Sequence, residues 1–225
     1  MKFDAVLFDC DGVLVDSEPI TIGVLRELLA ETGWVLSQQE CMDHFLGRTL
    51  REERVLIETN TGQPMTEAWL SLFFERRNRE LQARLEVIAG AHAAVAAAHQ
   101  RTGERIACAS GADRFKVEMQ LSKVGLMEFF TGRVFSGHEM ARSKPAPDVY
   151  LAAAQHLEVP PQRCLVIEDT TTGVRSGVAA GATVWAYCPL EQQGGALRQA
   201  GASRLFHQMS DLPALMAQAD SSSRY

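Results

Sequence analysis

Two aspartates with one residue between them follow an apolar run near the start of the chain. Asp9 and Asp11 come directly after the run 5–7 and Phe8, and Gly12 follows them. Ionised carboxylates side by side repel each other, and burying them is costly unless a partner such as a bound cation compensates. An aspartate can also attack phosphorus as a covalent nucleophile. The spacing therefore suggests phosphoryl transfer, with one acid as nucleophile and the other handling the proton; the alternative is a strand that ends in an Asp-Gly turn.

Glu168 and Asp169 supply a second pair of adjacent acids, after the apolar residues 165–167. A phosphate monoester is a dianion, so an attacking carboxylate is repelled unless Mg²⁺ bridges carboxylate and phosphate oxygens. Mg²⁺ prefers octahedral oxygen coordination, with one or two carboxylates and several waters. We predict a magnesium site formed by Asp9 and Asp169, with Glu168 as a third or more distant ligand and Asp11 contributing its backbone carbonyl oxygen. The alternative for the second pair is a helix N-cap with a favourable charge at the helix terminus.

Ser110, Gly111 and Lys144 are predicted to bind the phosphate. Ser110 and the amide groups after it, including that of Gly111, open a predicted helix whose N-terminus favours anions; the alternative is a plain serine N-cap. Lys144 lies in Ser-Lys-Pro-Ala-Pro, where two prolines stiffen the loop and hold the ammonium at low entropic cost. It would neutralise charge on the transferring phosphoryl group, whereas a lone lysine is usually a solvated surface charge.

These roles combine into a reaction with two steps. Asp9 attacks phosphorus in line and forms an aspartyl-phosphate, while protonated Asp11 gives its proton to the leaving oxygen. Asp11 then acts as a base and activates the water that hydrolyses the intermediate. Positioning and electrostatic stabilisation supply most of the acceleration in such reactions.

The composition of the 225-residue chain excludes several classes of protein. A net charge of −6 gives no global basic field for nucleic acid. Five cysteines without a C-x-x-C spacing favour free thiols in a reducing compartment. No apolar stretch approaches the length of a transmembrane helix. The N-terminal residues do not show the basic region followed by an apolar one that is typical of a secretory signal. We therefore expect a cytoplasmic protein that binds neither nucleic acid nor membrane. We also expect a monomer, with a small phosphorylated metabolite as its partner.

The pattern along the chain changes twice. Residues 17–83 have helical spacing of apolar residues without strand-like alternation, which predicts an inserted all-helical domain of roughly four helices. Residues 1–16 and 84–225 form the predicted core domain, in which strands alternate with helices. This alternation predicts an α/β fold with a doubly wound, Rossmann-like parallel sheet. The predicted strands are 3–8, 105–109, 133–135, 164–168 and 183–186, and the predicted helices are 91–100, 114–124, 147–156 and 171–180.

The positions of the four chemical segments agree with this sheet. In open parallel sheets, ligands bind beyond the carboxyl ends of the strands. Asp9, Ser110, Lys144 and Glu168 each fall at or after the end of a predicted strand. The segments are therefore expected to meet at one edge of the sheet.

The order and spacing of these segments, over nearly the whole chain, resemble the haloacid dehalogenase superfamily. The dehalogenases of that superfamily lack the second motif-one aspartate, so Asp11 points to its phosphatase branch, and the resemblance implies Mg²⁺. The insert is similar to the cap domain of the subgroup containing β-phosphoglucomutase and small sugar-phosphate phosphatases, which opens and closes over the site; 16–19 and 83–89 would be its linkers. The motifs are Asp9-Cys10-Asp11-Gly12-Val13, Ala109-Ser110-Gly111, Ser143-Lys144-Pro145 and Glu168-Asp169.

Two further features bear on the choice within this subgroup. β-Phosphoglucomutase carries a histidine where this chain has Thr21, five residues after Asp16, and its absence favours hydrolysis over mutase chemistry. The combination of Ser110-Gly111 with Phe135-Ser136-Gly137 resembles phosphatases of the 6-phosphogluconate type.

Substrate choice is expected to depend on the insert. Arg48 and Arg51 occur where relatives place a specificity loop, and either could bind a hydroxyl-rich or carboxylated leaving group bidentately. The alternative is that they pair with Glu52 or Glu53 on a helix surface.

The sequence thus predicts a Mg²⁺-dependent phosphatase acting on a small phosphorylated metabolite, a sugar phosphate or phosphorylated sugar acid, through an aspartyl-phosphate. The first alternative is a hexose-phosphate mutase on the same scaffold. A non-catalytic binding protein is a further alternative, but it should have lost Asp9, Asp11 or Lys144, and all three are present.

Overall fold

A computed structural model describes residues 3–45 and 49–221. The chain divides into two compact units, the first comprising Met1–Asp16 with Glu86–Tyr225 and the second comprising Ser17–Leu85. None of the described helices is long and apolar enough to cross a membrane. All five cysteines, which lie within the described ranges, are buried free thiols.

The first unit is built on a parallel sheet of six strands within the described residues, in the order β3-β2-β1-β4-β5-β6. This order and the helices on both faces confirm the predicted doubly wound α/β fold. The strand residues form short apolar runs, as expected where a sheet is buried on both faces. The strands are β1 Ala5–Phe8, β2 Ile106–Ser110, β3 Val134–Ser136, β4 Cys164–Glu168, β5 Thr183–Tyr187 and β6 Arg204–Phe206.

Helices are found in both units. Four helices and no strand are found in the described part of the second unit: α1 Glu18–Glu31, α2 Gln38–Phe45, α3 Arg54–Thr61 and α4 Glu67–Arg84. The first unit contains α5 Ala91–Arg101, α6 Arg114–Lys123, α7 Met127–Phe130, α8 Asp148–His156, α9 Thr171–Ala179, α10 Gly194–Ala200 and α11 Leu212–Ser221. Short 3₁₀ turns lie at Gly137–Glu139, Pro161–Arg163, Glu191–Gln193 and Met209–Asp211.

Strand β1 is the centre of the sheet and decides where a site can form. It pairs with β2 on one side and with β4 on the other, and Phe8 lies opposite both Cys108 and Ile167. The residues that follow β1 and β4 therefore emerge side by side. This is the point where the strand order reverses, at which open α/β sheets bind their ligands.

Helices pack on both faces of the sheet and bury its side chains. On one face, Leu7 and Val166 join a core with Tyr150 of α8 and Val174 of α9. On the other, the Phe8 ring meets that of Phe130 edge to face. The second unit has its own core; it includes Ile22, Leu25, Leu28, Phe45, Ile57 and Phe73.

The predicted elements 91–186 agree with the structure to within about two residues, but the sequence did not reveal α7, β6, α10 or α11. Helix α11 continues to Ser221 and buries Leu212, Met216 and Ala219.

Candidate active site

Three carboxylates meet at the ends of β1 and β4. Asp9 follows β1, Glu168 ends β4 and Asp169 comes next. One oxygen from each residue can be chosen so that all three lie within 4.8 Å of one another. Asp9 is 7% exposed and Glu168 is fully buried. The structure thus brings together three of the predicted metal ligands, in a cluster small enough for one cation.

Lys144 reaches this cluster from the loop before α8. Its Nζ lies 2.8 Å from Asp9 Oδ1 and 2.7 Å from Glu168 Oε1. It also donates to the hydroxyl of Tyr150 at 3.0 Å, and that hydroxyl donates to Glu168 Oε1 at 2.8 Å. The lysine is therefore a buried, fully engaged ammonium, and the alternative of a solvated surface charge is wrong.

Burial and charge act against each other in the cluster. Burial raises the pKa of Asp9 to about 7; Lys144 opposes this, and the nearby Glu168 and Asp11 add to it. Burial would also raise the pKa of Glu168, but the Lys144 ammonium holds it below its usual value. The pKa of Lys144 is kept well above its usual value by Asp9 and Glu168 in spite of burial. The lysine is thus charged, and in Asp9 the cost of burying the ionised form exceeds what Lys144 compensates.

The carboxylate of Asp11 is not part of this cluster. Lys116 Nζ lies 2.8 Å from both of its oxygens, and Gln120 Nε2 donates to Oδ1 at 2.9 Å. A metal role for Asp11 therefore depends on its backbone carbonyl, as predicted from the sequence, and stays a prediction. Neither Lys116 nor Gln120 was found from the sequence; the only signal is that they lie four residues apart, on one face of a helix that follows Ser110.

Two glycines make room for the acids. Gly12 has φ +75°, and a Cβ there would lie 2.0 Å from Asp169 Oδ2. A Cβ on Gly173, in α9, would lie 1.7 Å from Glu168 Oε1. No side chain fits at these distances, so both carboxylates depend on glycine next to them.

The alternative interpretation of Glu168 and Asp169 as a helix N-cap is wrong. The residue that caps α9 is Thr170, whose hydroxyl accepts from the Gly173 N–H at 3.1 Å. Glu168 Oε2 instead accepts from the N–H groups of Asp169 and Thr170, at 3.0 and 3.2 Å. These contacts hold the glutamate in place and satisfy amide groups at the start of the helix.

Ser110 ends β2 and is almost fully buried. Its hydroxyl accepts from the Ala112 N–H at 3.1 Å. The residue that caps α6 is Asp113, which accepts from the Lys116 N–H, so the simple serine N-cap interpretation is also wrong. Gly111 follows with open space where a Cβ would be. Phosphate binding by Ser110 and Gly111 stays a prediction.

A family model described as "Hydrolase: haloacid dehalogenase-like hydrolase" matches residues 3–181. The chain belongs to this hydrolase family. The family predicted from the four motifs and the prediction of a phosphatase-like hydrolase are both confirmed, since relatives are named as phosphatases.

Three similar proteins illustrate the range of this hydrolase family. A 6-phosphogluconate phosphatase of Escherichia coli (strain K12) is 31% identical over 189 residues, which are 83% of each chain. A fructose-1-phosphate phosphatase of the same strain is 28% identical, over 80% of this chain and 94% of its own. A crystal structure of a HAD family hydrolase from Deinococcus radiodurans R1 with bound phosphate and sodium has a TM-score of 0.81 and 33% identity, covering 97% of each chain.

The structure does not test the predicted role of Arg48 and Arg51 in substrate choice. Arg48 lies outside the described residues. Arg51 forms a bidentate ion pair with Glu67, at 2.9 and 3.0 Å, on an exposed surface. Its partner is thus neither Glu52 nor Glu53, the partners named in the alternative interpretation, and Glu52 accepts hydrogen bonds from Thr49. A role in substrate choice for either arginine stays a prediction.

Proposed function

We propose that this hydrolase is a Mg²⁺-dependent phosphatase that acts on a small phosphorylated metabolite through an aspartyl-phosphate. The substrate class we propose is a sugar phosphate or phosphorylated sugar acid. The names of the two Escherichia coli relatives and the phosphate bound in the Deinococcus radiodurans structure support this assignment. The observation that carries it is the buried Asp9 carboxylate, with one ammonium and two further acids beside it.

The charge balance of the site favours a divalent cation. Asp9, Glu168 and Asp169 form the acidic cluster, and Lys144 is the one cation that contacts it among the described ion pairs. Asp11 is neutralised separately by its lysine on α6. Three carboxylates grouped in a largely buried place are costly when ionised unless cations compensate them.

The donor set also fits Mg²⁺, which takes oxygen ligands and few protein carboxylates. Asp9 and Asp169 would hold the ion, with Glu168 close by and the carbonyl oxygen of Asp11 as a further candidate. When bound, the ion supplies positive charge that lowers the repulsion between the attacking carboxylate and the phosphate dianion.

Residues of this protein supply the nucleophile, the proton transfers and the phosphate-binding groups of the proposed reaction. Asp9 is the nucleophile, and its carboxylate is fixed by Lys144, which also lies where it can neutralise a phosphoryl oxygen next to Asp9. Asp11 donates a proton to the leaving oxygen and then accepts one from the attacking water. Ser110 and the following amide groups at the end of β2 would bind the other phosphoryl oxygens.

A phosphate-release screen tests this function. Sugar, polyol and carboxylate phosphates are incubated with the enzyme and Mg²⁺, with a chelator arm and with Asp9→Asn as the control variant. We expect turnover on at least one substrate, its loss with chelator, and nearly complete loss in the folded variant. Unchanged turnover in Asp9→Asn would rule out the nucleophile. A requirement for traces of sugar bisphosphate, with isomer as the product, would instead indicate the mutase.

The domain assignment stays part of this proposal. We propose residues 17–83 as a cap that governs substrate choice. A cytoplasmic location and a monomeric state are likewise predictions, which fractionation and light scattering would check.

A further inference from the structure

The carboxylate of Asp11 is held by two side chains from one face of α6. Lys116 Nζ lies 2.8 Å from each carboxylate oxygen, and Gln120 Nε2 lies 2.9 Å from Oδ1. The two residues are four apart, so their side chains project from the same face of the helix. These contacts fix the position and the plane of the ionised carboxylate. Oδ1, which both residues contact, can stay bound to them when Oδ2 carries the proton.

Both holding side chains are withdrawn from water. Lys116 is 7% exposed and Gln120 is fully buried. A buried ammonium or amide is costly unless it is hydrogen-bonded, so these groups are committed to their partners. By contrast, Phe115, next to Lys116 on the same helix, is largely exposed. The polar side chains, and not the aromatic one, occupy the inward face of α6 beside Asp11.

The orientation of the Gln120 amide is itself determined. Its Oε1 accepts from the Cys10 thiol, with the sulfur at 3.7 Å, which leaves Nε2 directed at Asp11. An amide has one acceptor and one donor end, so a reversed amide would lose both contacts. The residue between the two motif aspartates therefore contributes to the placement of the second one.

The start of α6 is fixed to the sheet, so the two side chains project from a rigid base. Asp113 caps the helix by accepting from the Lys116 N–H at 2.8 Å. Ser136, at the end of β3, donates its hydroxyl to the Ala112 carbonyl at 2.7 Å. A site built on anchored elements holds its groups more accurately than one built on loops.

We propose that Lys116 and Gln120 are positioning residues that aim Asp11 at the oxygen of the leaving group and then at the attacking water. This proposal rests on the proposed phosphatase function. In the first step, the bond from Asp9 to phosphorus forms, the ester P–O bond breaks, and its electron pair takes the proton of Asp11. In the second, Asp11 accepts a proton from water as the water oxygen bonds to phosphorus, and the Asp9–phosphorus bond returns its electron pair to Asp9.

Substrates that differ in their need for a proton at the leaving group can distinguish positioning of Asp11 from a merely structural role of Lys116 and Gln120. A sugar or alkyl phosphate releases an alkoxide that must be protonated, whereas p-nitrophenyl phosphate releases a stable phenolate that needs no proton. The value of kcat/KM covers only the steps up to the aspartyl-phosphate, provided that its formation is irreversible. A misplaced Asp11 should therefore lower kcat/KM for the alkyl substrate much more than for the aryl one.

The test compares Lys116→Met, Lys116→Arg and wild type on p-nitrophenyl phosphate and on the best alkyl phosphate from the screen. We expect Lys116→Met to lower kcat/KM about 100-fold or more for the alkyl phosphate, the usual size of a general-acid effect, and less than about 10-fold for the aryl phosphate. Lys116→Arg should recover most of the loss. Lys123→Met, the same change at an exposed position in the last turn of α6, is the matched control and should leave both values unchanged.

An equal fall on both substrates, or no fall on either, would overturn the positioning role. Gln120→Met serves as the second variant, and the same difference between substrates is expected for it, smaller in size, even where Lys116→Met does not fold. A wild-type enzyme that releases phosphate from no monoester at all would instead contradict the proposed function, which separates the two failures.

Discussion

Replacing Asp9 by asparagine should stabilise the metal-free protein while abolishing its activity. Burial raises the pKa of Asp9 from 3.8 to about 7, so the ionised carboxylate is less stable in the folded chain than in the unfolded one. Asparagine keeps the shape of the side chain and cannot ionise. Lys144 also contacts Glu168, at 2.7 Å, so the buried ammonium should keep a carboxylate partner in the variant.

The expected gain follows from the pKa shift and depends on pH. A difference of about three pKa units corresponds to at most ~4 kcal/mol, since each unit is worth about 1.4 kcal/mol. Because the folded pKa of Asp9 is the higher one, the stability that protonation provides is complete below pH 3.8 and is lost as the pH rises through about 7. The variant should therefore exceed wild type by up to ~4 kcal/mol at pH 8, by up to ~2 kcal/mol at pH 5, and by almost nothing at pH 4.

Thermal melts in chelator at these three pH values measure the effect. For a chain of this size, the upper limit corresponds to a rise in Tm of roughly 10 °C at pH 8. Mg²⁺ should narrow the gap, because a cation that binds the folded wild type stabilises it. Asp211→Asn, the same change at an exposed position, is the control and should not alter Tm. A lower Tm for Asp9→Asn at pH 8, or a gap that does not change with pH, would refute the claim that Lys144 compensates the Asp9 charge only in part.

Three further changes test the surroundings of the site. Gly12→Ala should abolish Mg²⁺-dependent activity and lower Tm, because the new Cβ would overlap the Asp169 carboxylate at a backbone angle that only glycine adopts easily. Titration calorimetry with Mg²⁺ and a thermal melt measure the two effects. Normal Mg²⁺ binding by the variant would contradict this prediction. Tyr150→Phe should lower kcat roughly 10-fold and stability by about 1–3 kcal/mol, because it removes the hydroxyl that accepts from Lys144 within the buried cluster; steady-state kinetics and denaturant melts measure the two effects. Arg51→Ala should leave Tm nearly unchanged, because its ion pair is exposed and screened; a large drop in Tm would show that this pair stabilises the fold.

The strand-end residues of the site could be predicted because the sheet itself positions them. Asp9, Glu168 and Lys144 stand at or after apolar runs, and parallel strands bring such ends together whatever lies between them. The same argument predicted the α/β fold and the family. This prediction required only the spacing of the apolar residues and the types of the residues that follow them, and both can be read from a single sequence.

The residues that support the site could not be predicted, because their role depends on packing. Lys116 and Gln120 lie within a helix whose other polar residues are half-buried or exposed, and only the three-dimensional fold shows which face contacts Asp11. Tyr150 resembles an ordinary aromatic core residue until its hydroxyl is seen between a lysine and a glutamate. Arg51 pairs with a residue on a later helix, and a pairing at that distance leaves no trace in local charge spacing.

The shorter elements were missed for a related reason. Strand β6 has three residues, Arg204–Phe206, of which only the last is fully buried. Three residues are too few to show an alternating pattern. The strand exists because its backbone pairs with β5, with Tyr187 opposite Phe206, and that long-range pairing is decided by the fold.

The central position of β1 has a consequence for how the chain acquires its structure. Val6 pairs with Ile106 and with Leu165. Strand β1 is synthesised first, and its two neighbouring strands follow about 100 and about 160 residues later in the sequence. Contacts so distant along the chain close slowly, because a large loop must be ordered before they form. The four helices of Ser17–Leu85 depend on local contacts and can form before β1 is paired. Until then the apolar β1 is an unpaired segment that can aggregate or bind chaperones.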